Sequence, residues 1–455
     1  MSLAAYISRR VVFADDIRPA AVIVDTESGE IVRIAEADSP GQADQRHDLG
    51  DHALLPGLID PHVHINEPGR TEWEGFATAT RAAAAGGLTT LVDMPLNCLP
   101  ETTTVAALEA KRAAAAGKCI VDWRSWGGAE GSPEKDGNQA HLLPLATAGA
   151  AGFKCFLVYP GCDGLGLLDE PSLRAAMPII AKSGLPLLVH AELPGPIEAA
   201  AALTGADWSS YATYLASRPD ESELAAIRLL IDLCREFGTR IHIVHLATAL
   251  ALPMLRAAKA EGLPITLETC PHYLHFAAEE IADGATLLKC APPIRSKENQ
   301  RGLWRGLHDR TIDMVVTDHS PCPPEMKRAD TGRFDQAWGG IASLSLALSI
   351  IHTDSTRRGD TLDDIARWMS SAPAALAGIA HNAGALQPNR DASFIIFDTE
   401  AEFTVTPDKL HYRHTVSPYL GETLRGAVKA TYLRGEPVYQ QGVFAPSPSG
   451  REVKL

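Results

Sequence analysis

Hydrophobic and polar positions change rhythm twice along the chain. Within residues 1–54, "AAVIVDTESGEIVRIAE" reads as a strand, a turn at Ser28–Gly29 and a second strand. Residues 386–455 carry the same short-strand pattern in "ASFIIFD", "LRGAVKATYLRG" and "EPVYQQGVF", with no helical period. Between these ends the pattern differs. Eight short apolar runs follow one another: "LLPGLIDPHVH", "TTLVDMP", "VDWRSWGG", "GFKCFLVY", "PLLVHAE", "RIHIVHLA", "PITLETCPH" and "DMVVTDHSP". Separating them are Ala/Leu-rich stretches of helical period, such as "FATATRAAAAGG", "PSLRAAMPIIAKSG", "ELAAIRLLIDLCREFG" and "LPMLRAAKAEG", several stopped by glycine.

Eight strand–helix units predict an α/β fold, a (β/α)8 TIM barrel over residues 55–385. Residues 1–54 and 386–455 are expected to form one small β-sandwich built from both chain termini. An open, doubly wound sheet is the structural alternative, but no glycine-rich phosphate fingerprint follows the first strand. "AAAAGG" reads only as a helix end.

Composition narrows the function. A chain of 455 residues, 45% hydrophobic and 21% charged, has the balance of an ordinary soluble enzyme with an accessory domain. A formal charge of −15 argues against nucleic acid as a partner, because phosphate binding needs a positive surface. No apolar run approaches the ~20 residues that cross a bilayer, so no membrane association is expected. The start, "MSLAAYISRRVVFADD", lacks the order of a secretory leader, and eight scattered cysteines point to reduced thiols. A cytoplasmic protein acting on a small-molecule substrate is the expectation.

Ionisable residues mark the ends of the predicted strands. His62 and His64 end the first, Lys154 lies in the fourth, His190 ends the fifth, His245 the sixth and Asp318 the eighth. The strand ends of a barrel converge on one face, where active sites form. Four imidazoles, a lysine and a carboxylate gathered there can hold divalent metal through N and O ligands. Each residue alone has a plainer explanation: a hydrogen-bonded histidine, a helix-capping aspartate, a surface lysine with its stem along the barrel. The set carries the argument. Within it, Lys154 is the odd member, since a free ammonium is a poor neighbour for metal ions.

"PGLIDPHVH", "FKCF", "VHAE", "IVHL", "ETCPHYL" and "TDHSP", in this order, resemble the cyclic amidohydrolases over nearly the whole chain. The resemblance implies two divalent metal ions, with zinc fitting the nitrogen-rich set. It also implies that Lys154 is an N6-carboxylysine, anionic and able to offer one oxygen to each ion. It would make His62, His64, Lys154 and Asp318 ligands of one ion and Lys154, His190 and His245 ligands of the other. Asp318 would serve as general base and then acid. A homotetramer is implied on the same ground.

"HINEPGRTEWEG", "DMPLN", "VHAELPGPI", "KCAPPIR", "TDHSPCPPEMK" and "RHTVSPYLG" look most like the allantoinase branch of that family, which implies opening of allantoin's ring to allantoate. Two positions bear on substrate. Dihydroorotases carry an arginine two residues after the second histidine, and this chain has Asn66, which cannot pair a carboxylate bidentately. Tyr159 matches the place of a tyrosine that stabilises the developing oxyanion in hydantoinases and dihydropyrimidinases; it is otherwise an ordinary strand-end tyrosine. Cys290 and Ser320 mark segments whose main chain contacts substrate in the family, or else serve packing and a turn. Asn97 faces the pocket or makes a turn. The "RTEWEG" loop shapes the pocket mouth, or Trp73 anchors it by packing. A non-catalytic scaffold relative is the remaining alternative, and the six filled ligand positions argue against it.

Overall fold

The computed structural model describes residues 2–131, 137–161, 165–200, 203 and 205–454. Among them, eight parallel strands close a barrel. They are Leu58–Val63, Leu88–Asp93, a third strand in two pieces (Asp122–Ser125 and Gly127–Gly128), Phe153–Phe156, Leu187–His190, Ile241–Ile243, Ile265–Thr269 and Met314–Val315. Each pairs with its successor in parallel. The ring closes where His319 bridges Val63 and its carbonyl accepts the His64 N–H at 2.8 Å.

The helices follow the apolar period. Asp220–Phe237 has Asp220, Glu221 and Glu223 in its first turn, where the helix dipole favours negative charge. Its Ala226, Ile227, Leu230, Ile231, Leu233 and Cys234 are buried, and Gly238 ends it at φ 66°. Phe76–Ala85, Glu170–Ser183 and Leu252–Ala260 occupy the other predicted stretches. No helix among the described residues is long and apolar enough to cross a membrane.

Strands from both chain ends form a second, nine-stranded sheet, in which Leu3–Val12, Ile17–Asp25 and Glu30–Ala35 share hydrogen bonding with Phe394–Thr404, Thr423–Leu433 and Glu436–Gln440. The sheet curls. Tyr6 touches Tyr432 with ring centroids 5.2 Å apart, although two strands lie between theirs in the sheet order. Three steps of ~4.8 Å would hold them ~14 Å apart in a flat sheet. Curling encloses a core of Tyr6, Val22, Leu54, Phe394, Ile396 and Tyr432, so the terminal strands pack face to face as a sandwich does.

Two strands differ from the expectation. "LLPGLIDPHVH" is not one strand. Ala53–Pro56 joins the terminal sheet against Phe394–Phe397, and Leu58–Val63 enters the barrel. Gly57 makes the break: its N–H donates to the Ser393 carbonyl at 2.9 Å, and a Cβ there would stand 2.4 Å from Thr89 Oγ1. The eighth strand is also shorter than its apolar run, because the ladder ends at Val315.

Candidate metal centre

Strand ends at the barrel mouth carry unusual backbone. Asn66 (φ 65°), Asn97 (φ 61°), His245 (φ 36°) and Asp318 (φ 46°) all lie in the left-handed region. Such conformations cost about 1–3 kcal/mol each outside glycine and persist where the surroundings enforce them. His245 and Asp318 stand past the ends of their strands, on backbone that has already turned.

These turns bring the six predicted groups together. His62 Nε2 lies 3.2 Å and His64 Nε2 3.5 Å from Asp318 Oδ1. His190 Nδ1 lies 3.0 Å from His245 Nε2. The rings of His62 and His245 are 5.4 Å apart, which joins the two groups. Lys154 is 1% exposed, so it is no surface lysine. Its ammonium sits 4.4 Å over the Phe156 ring, and its Nζ has no hydrogen-bond partner.

Carboxylates set the outer nitrogens of these rings. Glu268 accepts from His62 Nδ1 and from His242 Nε2, the latter at 2.9 Å. Burial alone would raise the Glu268 carboxyl, but the two imidazoles outweigh it and hold it at about 2. Glu192 meets His190 Nε2 at 2.7 Å and is clamped by Arg218. Asp60 accepts the N–H groups of His62 and Thr317, both at 3.0 Å, and so ties the first strand to the eighth. Asp93 accepts the Ile65 N–H at 2.8 Å and pairs with the buried Lys111 ammonium.

Burial pushes the His64, His190 and His245 imidazoles down, which leaves them neutral with a lone pair to offer. Burial would raise the Asp318 carboxyl; the facing histidines, His62 foremost, hold it well below the ordinary carboxylate range.

Residues 53–438 match the amidohydrolase family model. The chain belongs to the amidohydrolase family. It is 48% identical to an allantoinase of Streptomyces avermitilis over 445 residues, which is 98% of this chain and 97% of that protein. It is 40% identical to an allantoinase of Saccharomyces cerevisiae, covering 96% of each. Among solved structures, the L-hydantoinase of Arthrobacter aurescens superposes with a TM-score of 0.91 at 29% identity, over 99% of both chains.

The donor set of this amidohydrolase fits divalent metal. Atoms of His62, His64 and Asp318 lie within 4.8 Å of one another, all buried. His190 and His245 turn ring nitrogens toward each other, and Lys154 Nζ is orphaned beside them. Buried imidazole lone pairs that face one another are costly without a shared partner, and a cation held by the histidines and Asp318 removes that cost; the bare Lys154 ammonium has no lone pair to share in it.

The substrate candidates are more scattered. Asn66 is buried; its amide donates weakly to the Pro321 carbonyl at 3.4 Å, and its Oδ1 has no partner. The Asn97 amide touches His64 Nδ1 at 3.3 Å, so it both shapes a turn and supports a ring. Cys290 and Ser320 are buried: the Cys290 carbonyl accepts from the Tyr214 hydroxyl at 2.6 Å, and the Ser320 N–H is spent on Ile341. Tyr159 is 61% exposed and stands at the rim of a cavity of ≈ 640 Å³ that it shares with His190, Phe156 and Trp338. Trp73 packs against Trp338 at 5.0 Å, so the "RTEWEG" loop braces the wall of that cavity through its tryptophan.

Sequence reasoning missed Glu268, Asp60, Asp93 and Lys111. Their signal was weak, because a buried carboxylate inside an apolar run looks like any strand polar residue. Glu192 was more visible: two residues after His190 in "VHAE", it lies near enough to orient that ring.

Proposed function

We propose that this chain is an allantoinase, which opens the five-membered ring of allantoin to allantoate in purine breakdown. Near full-length likeness to the Streptomyces and yeast allantoinases carries the substrate, and the six convergent groups support the chemistry. In this reading His62, His64, Asp318 and Lys154 hold one divalent ion, and Lys154, His190 and His245 hold the other. Lys154 is carboxylated: its neutral amine bonds to the carbon of carbon dioxide and loses a proton. Burial lowers its amine to about 8, which favours the neutral form that this reaction needs.

Two divalent ions, with zinc suited to the nitrogen-rich set, supply an activated water and a polarised carbonyl at this place. The chain's own residues do the rest. Asp318 takes a proton as the water oxygen bonds to the scissile carbonyl carbon. It then gives that proton to the ring nitrogen as the C–N bond breaks, leaving a free urea nitrogen and a carboxylic acid whose remaining proton goes to solvent. Glu268 and Glu192 keep His62 and His190 in one orientation each. Asn66 offers an amide where a dihydroorotase offers a guanidinium, which suits a neutral ring.

A second reading, hydantoinase or dihydropyrimidinase, draws on Tyr159 at the cavity rim. A turnover panel separates them. The expected order of kcat/KM is allantoin, then hydantoin or dihydrouracil, then dihydroorotate. Faster turnover of hydantoin or dihydrouracil at equal metal loading overturns the allantoinase reading.

A further inference from the structure

The cavity above His190 is lined by aromatic and cationic side chains, and its charges are unevenly matched. Arg218 is clamped to Glu192 and Asp335 to Arg333. Lys289 is different. It lines the cavity and is partly buried, yet among the described residues no carboxylate forms an ion pair with it, and Asp335 on the same wall attracts it only from beyond ion-pair distance. Its Nζ donates once, to the Ala337 carbonyl at 2.6 Å, and lies 5.4 Å over the Tyr214 ring. An ammonium has three N–H groups, so two remain to be used. The neighbouring Lys327 is turned away, its ammonium on the Trp338 and Gly340 carbonyls, where it holds the wall. Arg328 is exposed at the edge.

A half-buried cation with spare donors, facing a substrate cavity, selects for an acceptor on the substrate. The scissile amide belongs at the metal ligands, so the acceptor is on the part of the substrate that points up the cavity. We propose that Lys289 is a specificity-determining residue, whose ammonium donates to the carbonyl oxygen of the exocyclic ureido arm. The assignment rests on the allantoin reading. The Tyr214 ring backs the ammonium, and the Tyr214 hydroxyl fixes the adjacent Cys290 carbonyl at 2.6 Å, which sets the position of the lysine's backbone. Hydantoin has the same ring without the arm, and so leaves Lys289 unanswered.

The test is steady-state kinetics of metal-loaded wild type, Lys289→Met and Lys289→Arg with allantoin and hydantoin. Loss of one charged hydrogen bond predicts that Lys289→Met lowers kcat/KM for allantoin by roughly 10-fold to 100-fold, mostly through KM. Hydantoin should lose far less, so the ratio between the two substrates collapses. Lys289→Arg keeps a charged donor and should restore part of that ratio. An unchanged ratio in Lys289→Met, or parallel loss on both substrates with no recovery in Lys289→Arg, overturns the assignment while leaving the allantoin reading intact. Wild-type protein that opens hydantoin but not allantoin overturns both.

Discussion

His190 and His245 meet ring to ring, Nδ1 of the first 3.0 Å from Nε2 of the second. Two imidazole nitrogens at that distance need a proton between them or a cation beside them. Glu192 decides which atoms face inward, because it occupies the other nitrogen of His190 at 2.7 Å. Arg218 then fixes Glu192 with two contacts from its guanidinium. A mostly buried, cavity-lining arginine is thereby coupled, through one buried carboxylate, to the orientation of a candidate ligand.

Replacing that carboxylate should therefore act on metal before it acts on fold. Glu192→Gln keeps shape and an acceptor for His190 but loses the charge that orients it and that answers Arg218. Outer-shell partners of this kind are worth about 10- to 100-fold in metal affinity. Competition against a chelator, read by elemental analysis, should show a loss of that size. Unchanged metal retention would mean that Glu192 serves only Arg218.

Lys154→Ala tests the lysine assignment directly. The variant removes a buried side chain that has no hydrogen-bond partner of its own, so the fold should survive. Bound divalent metal should fall and most activity should go with it. Short carboxylic acids added to the variant should restore part of the rate by standing in for the missing anion. Full metal content and an unaltered rate would refute carboxylation. Mass spectrometry of denatured protein is the wrong assay, since the carbamate is labile.

The barrel, the terminal sheet and the six clustered groups were legible because each leaves a periodic or positional mark. The apolar runs are short and regularly spaced, and "HVH", "VHAE" and "TDHSP" stand at their ends. What was not legible depends on three-dimensional closure. Gly57 looks like any glycine in an apolar run until Thr89 is found against it. The left-handed backbone at His245 and Asp318 has only a weak sequence signal, because His and Asp enter that region more often than most side chains yet usually do not adopt it. Lys111 and Asp93 are 18 residues apart, and only the packing of the helix Val105–Ala115 against the second strand brings them together.

That pair yields a stability prediction. Lys111 is fully buried, and its ammonium also donates to the Met94 carbonyl at 2.9 Å. Lys111→Met would leave the Asp93 carboxylate buried without its counter-ion. Breaking one half of a buried pair costs about 3–5 kcal/mol, whereas replacing both halves is often close to neutral. Denaturant unfolding should show the single variant well below wild type and Lys111→Met with Asp93→Asn partly recovered. Equal loss in the single and double variants would place the cost in packing rather than in charge.

Asp318→Asn separates proton transfer from architecture. Asparagine tolerates the left-handed backbone that Asp318 adopts at φ 46°, so the strand end should keep its course. The side chain keeps its size and one carbonyl oxygen toward His62 and His64, whose Nε2 atoms lie 3.2 and 3.5 Å away. The amide cannot accept the proton of an attacking water at neutral pH, and the general base is lost. Such a group contributes about 10²- to 10⁴-fold, so kcat should fall by that factor while thermal unfolding stays near wild type. Metal content must be measured on the same sample, because an amide is a weaker ligand than a carboxylate. A fall in rate matched by a fall in metal would assign Asp318 to holding the ion. A fall in rate at full metal content would assign it to moving the proton, and a near-normal rate at full metal content would exclude it from that role.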